Sequence, residues 1–293
     1  PATGTATFLY AVIDHIRERF MQQGNAGMWS GFVRDHLLPR LFGFELLMAP
    51  YAVAHFKLAF QLAGHDLAPE QRAQWAYDFA SKERLGVYLT NTLEAVEEEI
   101  ESLWGPLRIV TEEAQQANRV KRDLPIMVVL GNPPYSVSSS NKSDYIENLM
   151  DRYKQAVRSE RNIQPLSDDY IKFIRFAHDR IERTGHGVIG FITNHSYLSG
   201  LIHRGMREEL LKTFDEIYIL NLHGNALMGE TAPDGGKDEN VFDIRQGVAI
   251  ALMVKTGEGK DLATVYHADL WGEREDKYQA LNGNDVETLD WET

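Results

Sequence analysis

The amino-acid sequence predicts an α/β fold, and three observations support this prediction. Residues 126–130 form an uninterrupted apolar run and residues 187–193 form another, as is typical of strands buried on both faces of a sheet. Between them, residues 168–183 carry apolar side chains at helical spacing. Each apolar run also ends in a loop of polar or small residues, and such strand ends are where open α/β sheets bind ligands.

The composition sets limits on the class of protein. A chain of 293 residues with 43% hydrophobic residues can build one large α/β domain or two small ones. It contains no cysteine, which excludes disulfides and thiolate metal sites, and its 10 histidines show no recognisable metal-ligand spacing, so we expect no metal. No apolar stretch approaches the roughly 18 residues that span a bilayer, and no signal-peptide pattern is present. We therefore expect a soluble, cytoplasmic protein without a membrane partner.

The first residues form a loop of small side chains that leads into an amphipathic helix over about residues 8–21. Small residues let a backbone approach a ligand closely, and free amides at the amino end of a helix favour polar or anionic groups. The candidate ligand-binding residues of this loop are Pro1, Ala2, Thr3, Gly4, Thr5 and Phe8.

A short apolar strand over residues 41–45 ends in the carboxylate of Glu45, and a helix follows from about residue 49 to residue 63. A carboxylate after the second strand of a nucleotide-binding unit can accept hydrogen bonds from both ribose hydroxyls. The number of residues between Gly4 and Glu45 is larger than in the simple nucleotide-binding fingerprint, because residues 22–40 look like an insertion. A solvated glutamate at a strand end is the alternative.

The tetrapeptide Asn132-Pro133-Pro134-Tyr135 closely follows the apolar run of residues 126–130. Prolines cannot extend a sheet ladder, and Pro134 holds Pro133 out of the helical region, so a stiff turn should present Asn132 and Tyr135 at the carboxyl edge of a sheet. The amide oxygen and a neighbouring backbone carbonyl can accept two hydrogen bonds from an exocyclic amine, while the ring stacks on its heterocycle. An ordinary strand-ending turn with a surface tyrosine is the alternative.

This tetrapeptide resembles motif IV of the amino-group DNA methyltransferases, Asp/Asn/Ser-Pro-Pro-Tyr/Phe/Trp, in the form typical of N6-adenine enzymes. Residues 1–9 resemble motif I, which holds the methionine part of S-adenosylmethionine, and Glu45 resembles motif II. Asn91 follows a predicted strand over residues 84–88, where motif III would contact the cofactor adenine. Residues 194–198 resemble motif VI.

The resemblance implies a Rossmann-like S-adenosylmethionine-dependent methyltransferase fold, with a mostly parallel sheet, an antiparallel terminal hairpin and helices on both faces. It implies that Asn132, Pro133, Pro134 and Tyr135 are catalytic. It also implies S-adenosyl-L-methionine as the cofactor, held by Pro1, Ala2, Thr3, Gly4, Thr5, Phe8, Glu45, Asn91 and Asn132. The sequence departs from the family pattern in two ways: Ala6 replaces the usual second glycine, and the strand expected before Pro1 is absent, so we expect it upstream.

The second half of the chain carries a more specific resemblance. Residues 215–222 and 248–255 resemble the terminal hairpin of the same fold, and residues 222–225 and 240–248 look like type ISP restriction-modification enzymes. In those enzymes, nuclease and helicase-like domains precede an adenine methyltransferase and a target-recognition domain. The resemblance implies DNA and these domains of one parent polypeptide as partners. We expect residues 1–260 to be the methyltransferase catalytic domain and residues 261–293 to be a C-terminal extension leading towards a target-recognition domain.

The net charge of −13 has the wrong sign for a protein that binds a polyanion unaided. This charge is compatible with action on DNA if the chain is a catalytic core and its DNA-binding domains lie elsewhere in a larger polypeptide. Several basic residues could face DNA phosphates or simply form a solvated helix face, namely Lys142, Arg152, Lys154, Arg158 and Arg161.

The expected function is transfer of a methyl group to N6 of a flipped-out adenine in DNA, as the modification domain of a larger restriction-modification enzyme. One alternative is an RNA or protein-glutamine methyltransferase, and another is a noncatalytic interaction module derived from the enzyme. His195 invites a catalytic-base role, but methyl transfer to adenine needs no strong base. Tyr197 and Phe242 are the candidates for a second wall around the base.

Overall fold

A computed structural model gives the structure of the protein for residues 1–79, 83–94, 107–136, 139–259 and 261–293, with the backbone alone for residues 107–111. The chain divides into two compact units. The first comprises residues 1–92 and 96–124, and the second comprises residues 93–95 and 125–293. Among the described residues, none of the helices combines the length and the hydrophobicity of a membrane span.

The first unit contains a small parallel sheet and several helices. Its described α-helices are α1 (Thr7–Gln22), α2 (Trp29–Phe32), α3 (Met48–Leu62), α4 (Pro69–Trp75) and α5 (Leu107–Asp123). Its strands are β1 (Phe42–Glu45) and β2 (Gly86–Leu89), which pair in parallel with Glu45 opposite Leu89. The strands and the helices α1 and α3 confirm the elements predicted from the sequence, with small shifts at their ends.

Residues 22–40, which lengthen the interval before Glu45, supply part of the core of the first unit. Trp29 and Val33 are fully buried there and belong to one apolar cluster with Ile13 of α1. The Trp29 ring meets the Trp75 ring edge-on, with 6.0 Å between their centroids. Burial of a large apolar side chain contributes roughly 1.5–3 kcal/mol. This segment therefore helps to stabilise the unit.

The second unit is built on a larger sheet. Its described α-helices are α6 (Asp144–Lys154), α7 (Asp169–Thr184), α8 (Ser196–Ser199), α9 (Arg204–Thr213) and α10 (Arg274–Gly283). Its strands are β3 (Val128–Gly131), β4 (Gly187–Asn194), β5 (Glu216–His223), β6 (Val248–Lys255) and β7 (Thr264–Asp269). As the sequence predicted, α7 is a core helix, with Ile174, Ala177 and Ile181 fully buried.

The strands of the second unit form one five-stranded sheet in the order β3-β4-β6-β5-β7. β3 pairs in parallel with β4, β5 pairs in parallel with β7, and β6 is antiparallel to both of its neighbours, β4 and β5. The predicted antiparallel hairpin is present as β5 and β6, and β7 adds one more strand beside β5. β3, β4 and β5 all run in one direction, so the loops after them leave the sheet at the same edge.

β3 is less buried than the sequence suggested. Met127 and Val128 are 50% and 59% exposed, whereas Val129 and Gly131 are buried. The expectation of a strand buried throughout is therefore wrong for the first half of this run. The physical reason is that β3 lies at one edge of the sheet and pairs only with β4 among the strands that the structure describes.

Residues beyond 260 contribute β7 and α10 to the second unit. Lys277 of α10 is fully buried, and its Nζ donates to Asp238 Oδ1 at 2.6 Å and to the Leu222 carbonyl at 2.7 Å. These contacts tie α10 to the end of β5. The domain boundary predicted at residue 260 stays a prediction.

Candidate active site

Glu45 lies at the carboxyl end of β1, where its carboxylate holds the loop of residues 1–6. The Gly4 amide donates to Oε2 at 2.8 Å, and the Leu47 amide donates to Oε1 at 2.9 Å. The residue is only 7% exposed, which contradicts the solvated alternative. The two hydrogen bonds offset its desolvation, and each oxygen retains a second lone pair, so Glu45 can still accept hydrogen bonds from hydroxyl groups.

The loop approaches β1 closely because small residues occupy the contact. The Thr3 amide donates to the Phe44 carbonyl at 2.9 Å, and a Cβ added to Gly43 would lie 2.7 Å from Thr3 Oγ1. Gly4 and Ala6 have left-handed backbones, with φ of +58° and +62°. Ala6 thus adopts the conformation for which the methyltransferase pattern has glycine, at a cost of roughly 1–2 kcal/mol.

Asn91 follows β2, at the same edge of the two-stranded sheet as Glu45. Its carbonyl accepts a hydrogen bond from Lys121 Nζ at 2.7 Å, and Thr90 Oγ1 accepts another at 3.0 Å. Lys121 is buried and lies over the Phe44 ring, so the turn at Asn91 is fixed by α5. The remaining predicted cofactor residues lie in or beside the first loop: Pro1, Ala2 and Phe8 are partly buried and Thr5 is exposed.

An apolar surface that the sequence prediction missed follows Glu45. Leu46, Leu47 and Met48 are all more than half exposed. Exposed large apolar side chains beside a polar ligand group suit a flat heterocycle, because binding pockets combine apolar walls with a few polar anchors. The signal was available in the sequence as three consecutive large apolar residues directly after the carboxylate.

The predicted catalytic tetrapeptide follows β3 directly. Asn132 and Pro134 are exposed, Pro133 is buried and Tyr135 is partly buried. The Tyr135 hydroxyl donates to Asn132 Oδ1 at 3.1 Å. Burial, and to a lesser degree the charge of Asp168, raises the pKa of Tyr135 well above its ordinary value, so the hydroxyl stays protonated and remains a donor. The amide oxygen and the ring that were predicted to act together are thus adjacent.

The amino end of α7 anchors the segment that follows Tyr135. Asp168, the N-cap of α7, accepts hydrogen bonds from the Ser136 amide at 2.7 Å and the Tyr170 amide at 3.4 Å. Burial raises the pKa of Asp168, while the hydrogen bonds from the two amides act in the opposite direction. The rings of Tyr135 and Tyr170 meet edge-on with 5.9 Å between centroids. Tyr135 is therefore held by both backbone and ring contacts.

A second set of contacts to α7 holds the loop farther along. Asp169 Oδ1 accepts hydrogen bonds from Ser139 Oγ at 2.6 Å and from Asn141 Nδ2 at 2.8 Å. Lys172, which is buried, donates to the Asn141 carbonyl and forms an ion pair of 2.9 Å with Glu147. Polar side chains of α7 thus fix the described part of the loop after the tetrapeptide, and sequence reasoning had assigned this helix to the core alone.

His195 follows β4, at the sheet edge that also carries Asn132. Its Nδ1–H donates to Asn221 Oδ1 at 3.0 Å, and Asn225 Nδ2 donates to its Nε2 at 3.1 Å. With both ring nitrogens engaged, His195 is poorly suited to act as a catalytic base. Tyr197 is 2% exposed, so it does not offer an open wall for a base, and Phe242 is partly buried against an apolar cluster.

Comparisons with known proteins show which family and which solved structures this chain is similar to. The sequence profile of the Eco57I restriction-modification methylase family matches residues 41–227. The ATP-dependent type ISP restriction-modification enzyme LlaBIII bound to DNA is 26% identical, with a TM-score of 0.78 over 97% of this chain. The DrdV–DNA complex is 25% identical, with a TM-score of 0.74 over 100% of this chain. A nuclease-deletion mutant of the type ISP enzyme LlaGI, in complex with a DNA substrate mimic, is 24% identical, with a TM-score of 0.78 over 100%. No curated protein sequence matches the chain.

The chain spans only 18%, 26% and 23% of the lengths of LlaBIII, DrdV and LlaGI. The similarity therefore concerns one part of each of these larger enzymes, and in that part the fold is the predicted methyltransferase fold. Because the family profile covers well over half of its residues, this chain belongs to the Eco57I restriction-modification methylase family.

Proposed function

We propose that this chain transfers a methyl group from S-adenosyl-L-methionine to N6 of an adenine flipped out of DNA, as the modification part of a larger restriction-modification enzyme. The observation that carries the proposal is the hydrogen bond of 3.1 Å between the Tyr135 hydroxyl and Asn132 Oδ1, directly after β3. An amide oxygen beside an aromatic ring suits an amine attached to a flat heterocycle. Family membership supports the methylase class, and this pair of residues supports the amine.

The first unit offers residues that fit the cofactor. Gly43 lets the loop at Thr3 lie close to β1, and the left-handed Gly4 turns its amide towards Glu45. Glu45 can accept hydrogen bonds from the ribose hydroxyls with its remaining lone pairs, and the exposed Leu46 can contact the adenine ring. When bound, S-adenosyl-L-methionine supplies an electrophilic methyl group on a sulfonium.

The second unit offers residues that prepare the acceptor amine. The lone pair of an adenine amine is delocalised into its ring, so the amine is a poor nucleophile while it stays planar. Hydrogen bonds from N6 to Asn132 Oδ1 and to the Pro133 carbonyl favour a tetrahedral nitrogen with its lone pair directed away from the ring. The protein acts by orientation and electrostatics, and the proton released from the amine can leave to water.

The Tyr135 ring contributes to the capture of the base. Adenine inside a duplex cannot reach such a site, so it must be extruded at a cost of a few kcal/mol. Stacking on an aromatic side chain is worth about 1–3 kcal/mol per base and offsets part of this cost. When the amine binds, it either replaces the Tyr135 hydroxyl as the donor to Asn132 Oδ1 or donates to this oxygen together with the hydroxyl, since a carbonyl oxygen accepts two hydrogen bonds.

The test is methyl transfer by the Asn132→Ala variant. The protein is incubated with isotopically labelled S-adenosyl-L-methionine and unmethylated genomic DNA. The DNA is then digested to nucleosides, which are analysed by mass spectrometry. We expect label in N6-methyladenine with the wild type. We expect at least a 100-fold lower rate with Asn132→Ala, on the order of the loss caused by removing one preorganised hydrogen-bonding group. Calorimetry should show a much smaller loss of cofactor affinity, because Asn132 is only one of the residues assigned to the cofactor.

Three comparisons make the result specific. Asn132→Asp keeps the acceptor oxygen and should retain part of the activity, whereas Asn284→Ala, at an exposed position of the chain, should match the wild type. Parallel reactions with RNA and with glutamine-containing protein separate the two alternative substrates. A wild-type rate for Asn132→Ala, or label in RNA or protein alone, would falsify the assignment, and absent cofactor binding by the wild type would favour a noncatalytic module.

A further inference from the structure

Three sequence segments that the methyl-transfer proposal leaves unused come together in the second unit. Residues 194–198 follow β4, residues 222–225 follow β5, and residues 240–248 lead into β6. The ring of His195 lies directly over Gly247, where an added Cβ would come within 2.3 Å of the ring. The His195 amide also donates to the Gly247 carbonyl at 3.0 Å. The absence of a side chain at Gly247 therefore makes room for the His195 ring.

His195, His223 and Glu230 present one ligand atom each towards a common point. These three atoms lie within 4.8 Å of one another. His223 is buried at the end of β5, next to a bulge in the pairing of β5 with β6, and its backbone is left-handed with φ of +52°. A non-glycine residue is held in that conformation only when its surroundings fix it, so the direction of the His223 ring is strongly determined.

Each of the three side chains is oriented by a second group on its far side. His195 Nδ1–H donates to Asn221 Oδ1 at 3.0 Å, which leaves the lone pair on Nε2. His223 Nε2–H donates to Asp269 Oδ1 at 2.7 Å, and His223 Nδ1 lies 3.0 Å from Glu230 Oε1 and 3.3 Å from Asn221 Nδ2. The contact of Nδ1 with the carboxylate needs a proton on Nδ1, and a metal ion would replace that proton. Histidine ligands of metals characteristically donate their other N–H to a carboxylate or a carbonyl oxygen in this way.

The remaining surroundings complete the arrangement. Glu230 Oε2 accepts a hydrogen bond from the Asn225 amide at 2.9 Å, so the carboxylate is held in place by backbone. The Trp271 ring stacks on the His223 ring, with 3.3 Å between centroids and 16° between planes. His223 is therefore fixed from one face by an aromatic ring and from its edge by Asp269.

We propose that His195 Nε2, His223 Nδ1 and the Glu230 carboxylate bind a divalent transition-metal ion of the zinc class. Two imidazoles and one carboxylate are a zinc-type ligand set and are poorly suited to magnesium, which prefers oxygen ligands. Ligand atoms about 2.1 Å from one tetrahedral zinc ion lie about 3.4 Å apart. Because the three atoms lie within 4.8 Å of one another, closure shortens the longest of these distances by at most about 1.4 Å. It also releases Asn225 Nδ2 from His195 and Asn221 Nδ2 from His223.

Such an ion would tie together the loops that follow β4 and β5. Three protein ligands also leave a fourth coordination position open. The site is separate from the residues to which the cofactor and the amine are assigned, so this inference stands or falls independently of the proposed function.

The test is calorimetric titration of the chelator-treated protein, without a histidine tag, with Zn²⁺ alone. We expect one equivalent of Zn²⁺ per chain and a higher unfolding temperature in its presence. Glu230→Gln removes a ligand and should abolish the stoichiometric binding. Asp269→Asn should weaken it by about 10–100-fold, since that is the usual effect of losing the partner that orients a ligand.

His186→Gln is the matched control, because His186 is an exposed histidine of the same unit outside the cluster. It should bind Zn²⁺ like the wild type, and circular dichroism should show that every variant is folded. The proposal is overturned if the wild type binds no stoichiometric Zn²⁺. It is equally overturned if Glu230→Gln binds as tightly as the wild type, if His186→Gln loses binding to the same extent, or if Mg²⁺ binds as tightly as Zn²⁺.

Discussion

The Asp168 carboxylate accepts a hydrogen bond of 2.7 Å from the Ser136 backbone amide, and this contact joins the amino end of α7 to the residue that follows Tyr135. The same oxygen caps α7 through the Tyr170 amide. One buried carboxylate therefore helps to set both the start of a core helix and the shape of the segment that carries the proposed acceptor site.

Replacing Asp168 by alanine should destabilise both the segment that follows Tyr135 and the amino end of α7. Loss of an N-cap costs about 1 kcal/mol, and an unsatisfied buried amide costs roughly 1–3 kcal/mol. We expect urea unfolding to show a loss of about 2–4 kcal/mol on this basis. Methyl transfer should fall while calorimetry shows unchanged cofactor affinity. Asp151→Ala is the control, because Asp151 pairs with Arg158 on the exposed surface, where an ion pair contributes about 0–1 kcal/mol. Equal effects of the two variants would contradict the role of Asp168.

Replacing Glu45 by alanine should weaken cofactor binding and also destabilise the first unit. The variant loses the hydrogen bonds to the Gly4 and Leu47 amides in addition to those proposed for the ribose. We expect the Kd for S-adenosyl-L-methionine to rise at least about 10-fold, since each hydrogen bond to a charged group is worth about 1.5–3 kcal/mol. Glu45→Gln keeps one acceptor oxygen and should be intermediate, and Glu70→Ala, at an exposed position of α4, should change nothing. An unchanged Kd in Glu45→Ala would rule out its role in the cofactor site.

His203 should make the second unit sensitive to acid. It is 4% exposed, its ring nitrogens have no hydrogen-bond partner in the described part of the chain, and burial, together with the charge of Arg207, lowers its pKa to about 4. Because the folded pKa lies below the unfolded value, this contribution to stability is complete above about pH 6.5 and is lost as the pH falls towards 4.

The measurement is urea unfolding of the wild type and His203→Gln at pH 7 and pH 5. When the pH is lowered from 7 to 5, the free energy of unfolding of the wild type should fall by about 2 kcal/mol more than that of the variant. His15→Gln, which replaces an exposed histidine of α1, serves as the control. A parallel pH dependence of the wild type and His203→Gln would show that the buried imidazole does not titrate in this range.

The chain itself should bind DNA weakly and without sequence preference. Its net charge is −13, and three of the basic residues considered above are already paired within the second unit: Arg152 with Glu182, Lys154 with Glu147 and Arg158 with Asp151. Fluorescence anisotropy on one duplex at two salt concentrations should give a shallow salt dependence, because log K falls by about 0.9 per phosphate contact for each unit of log salt. A longer parent protein with DNA-binding domains should give a steep one. Tight, sequence-selective binding by the 293 residues alone would contradict this expectation.

Local patterns predicted the elements that depend on neighbouring residues. β1 ends at Glu45, as its short apolar run indicated, and β3 ends at Gly131, as its apolar run and the following prolines indicated. The partly exposed start of β3 was not predictable in this way, since burial of a strand depends on its neighbours in the sheet. The anchoring of Ser136 by Asp168 was also missed, because the two residues are distant in sequence and meet only once α7 packs beside the loop.

The cluster of His195, His223 and Glu230 also could not be predicted from local sequence patterns. Sequence spacing gave no reason to expect a metal, because metal-ligand patterns are recognised when ligands lie close together along one chain segment. Here the ligand atoms come from the ends of two strands and from a connecting loop, and β6 runs between those strands. Only the order of strands in the sheet brings them within reach of one another.

The position of β3 has a practical consequence for work with this chain. Among the strands that the structure describes, β3 pairs only with β4, so its outer side presents backbone groups that none of these strands pairs, and Met127 and Val128 add exposed apolar surface beside them. Such an edge is a template for pairing with another molecule. Concentrated preparations should therefore tend towards self-association and precipitation, and light scattering should rise with protein concentration. A lysine in place of Val128 is the substitution that should improve solubility, because charged side chains on an edge strand discourage intermolecular pairing.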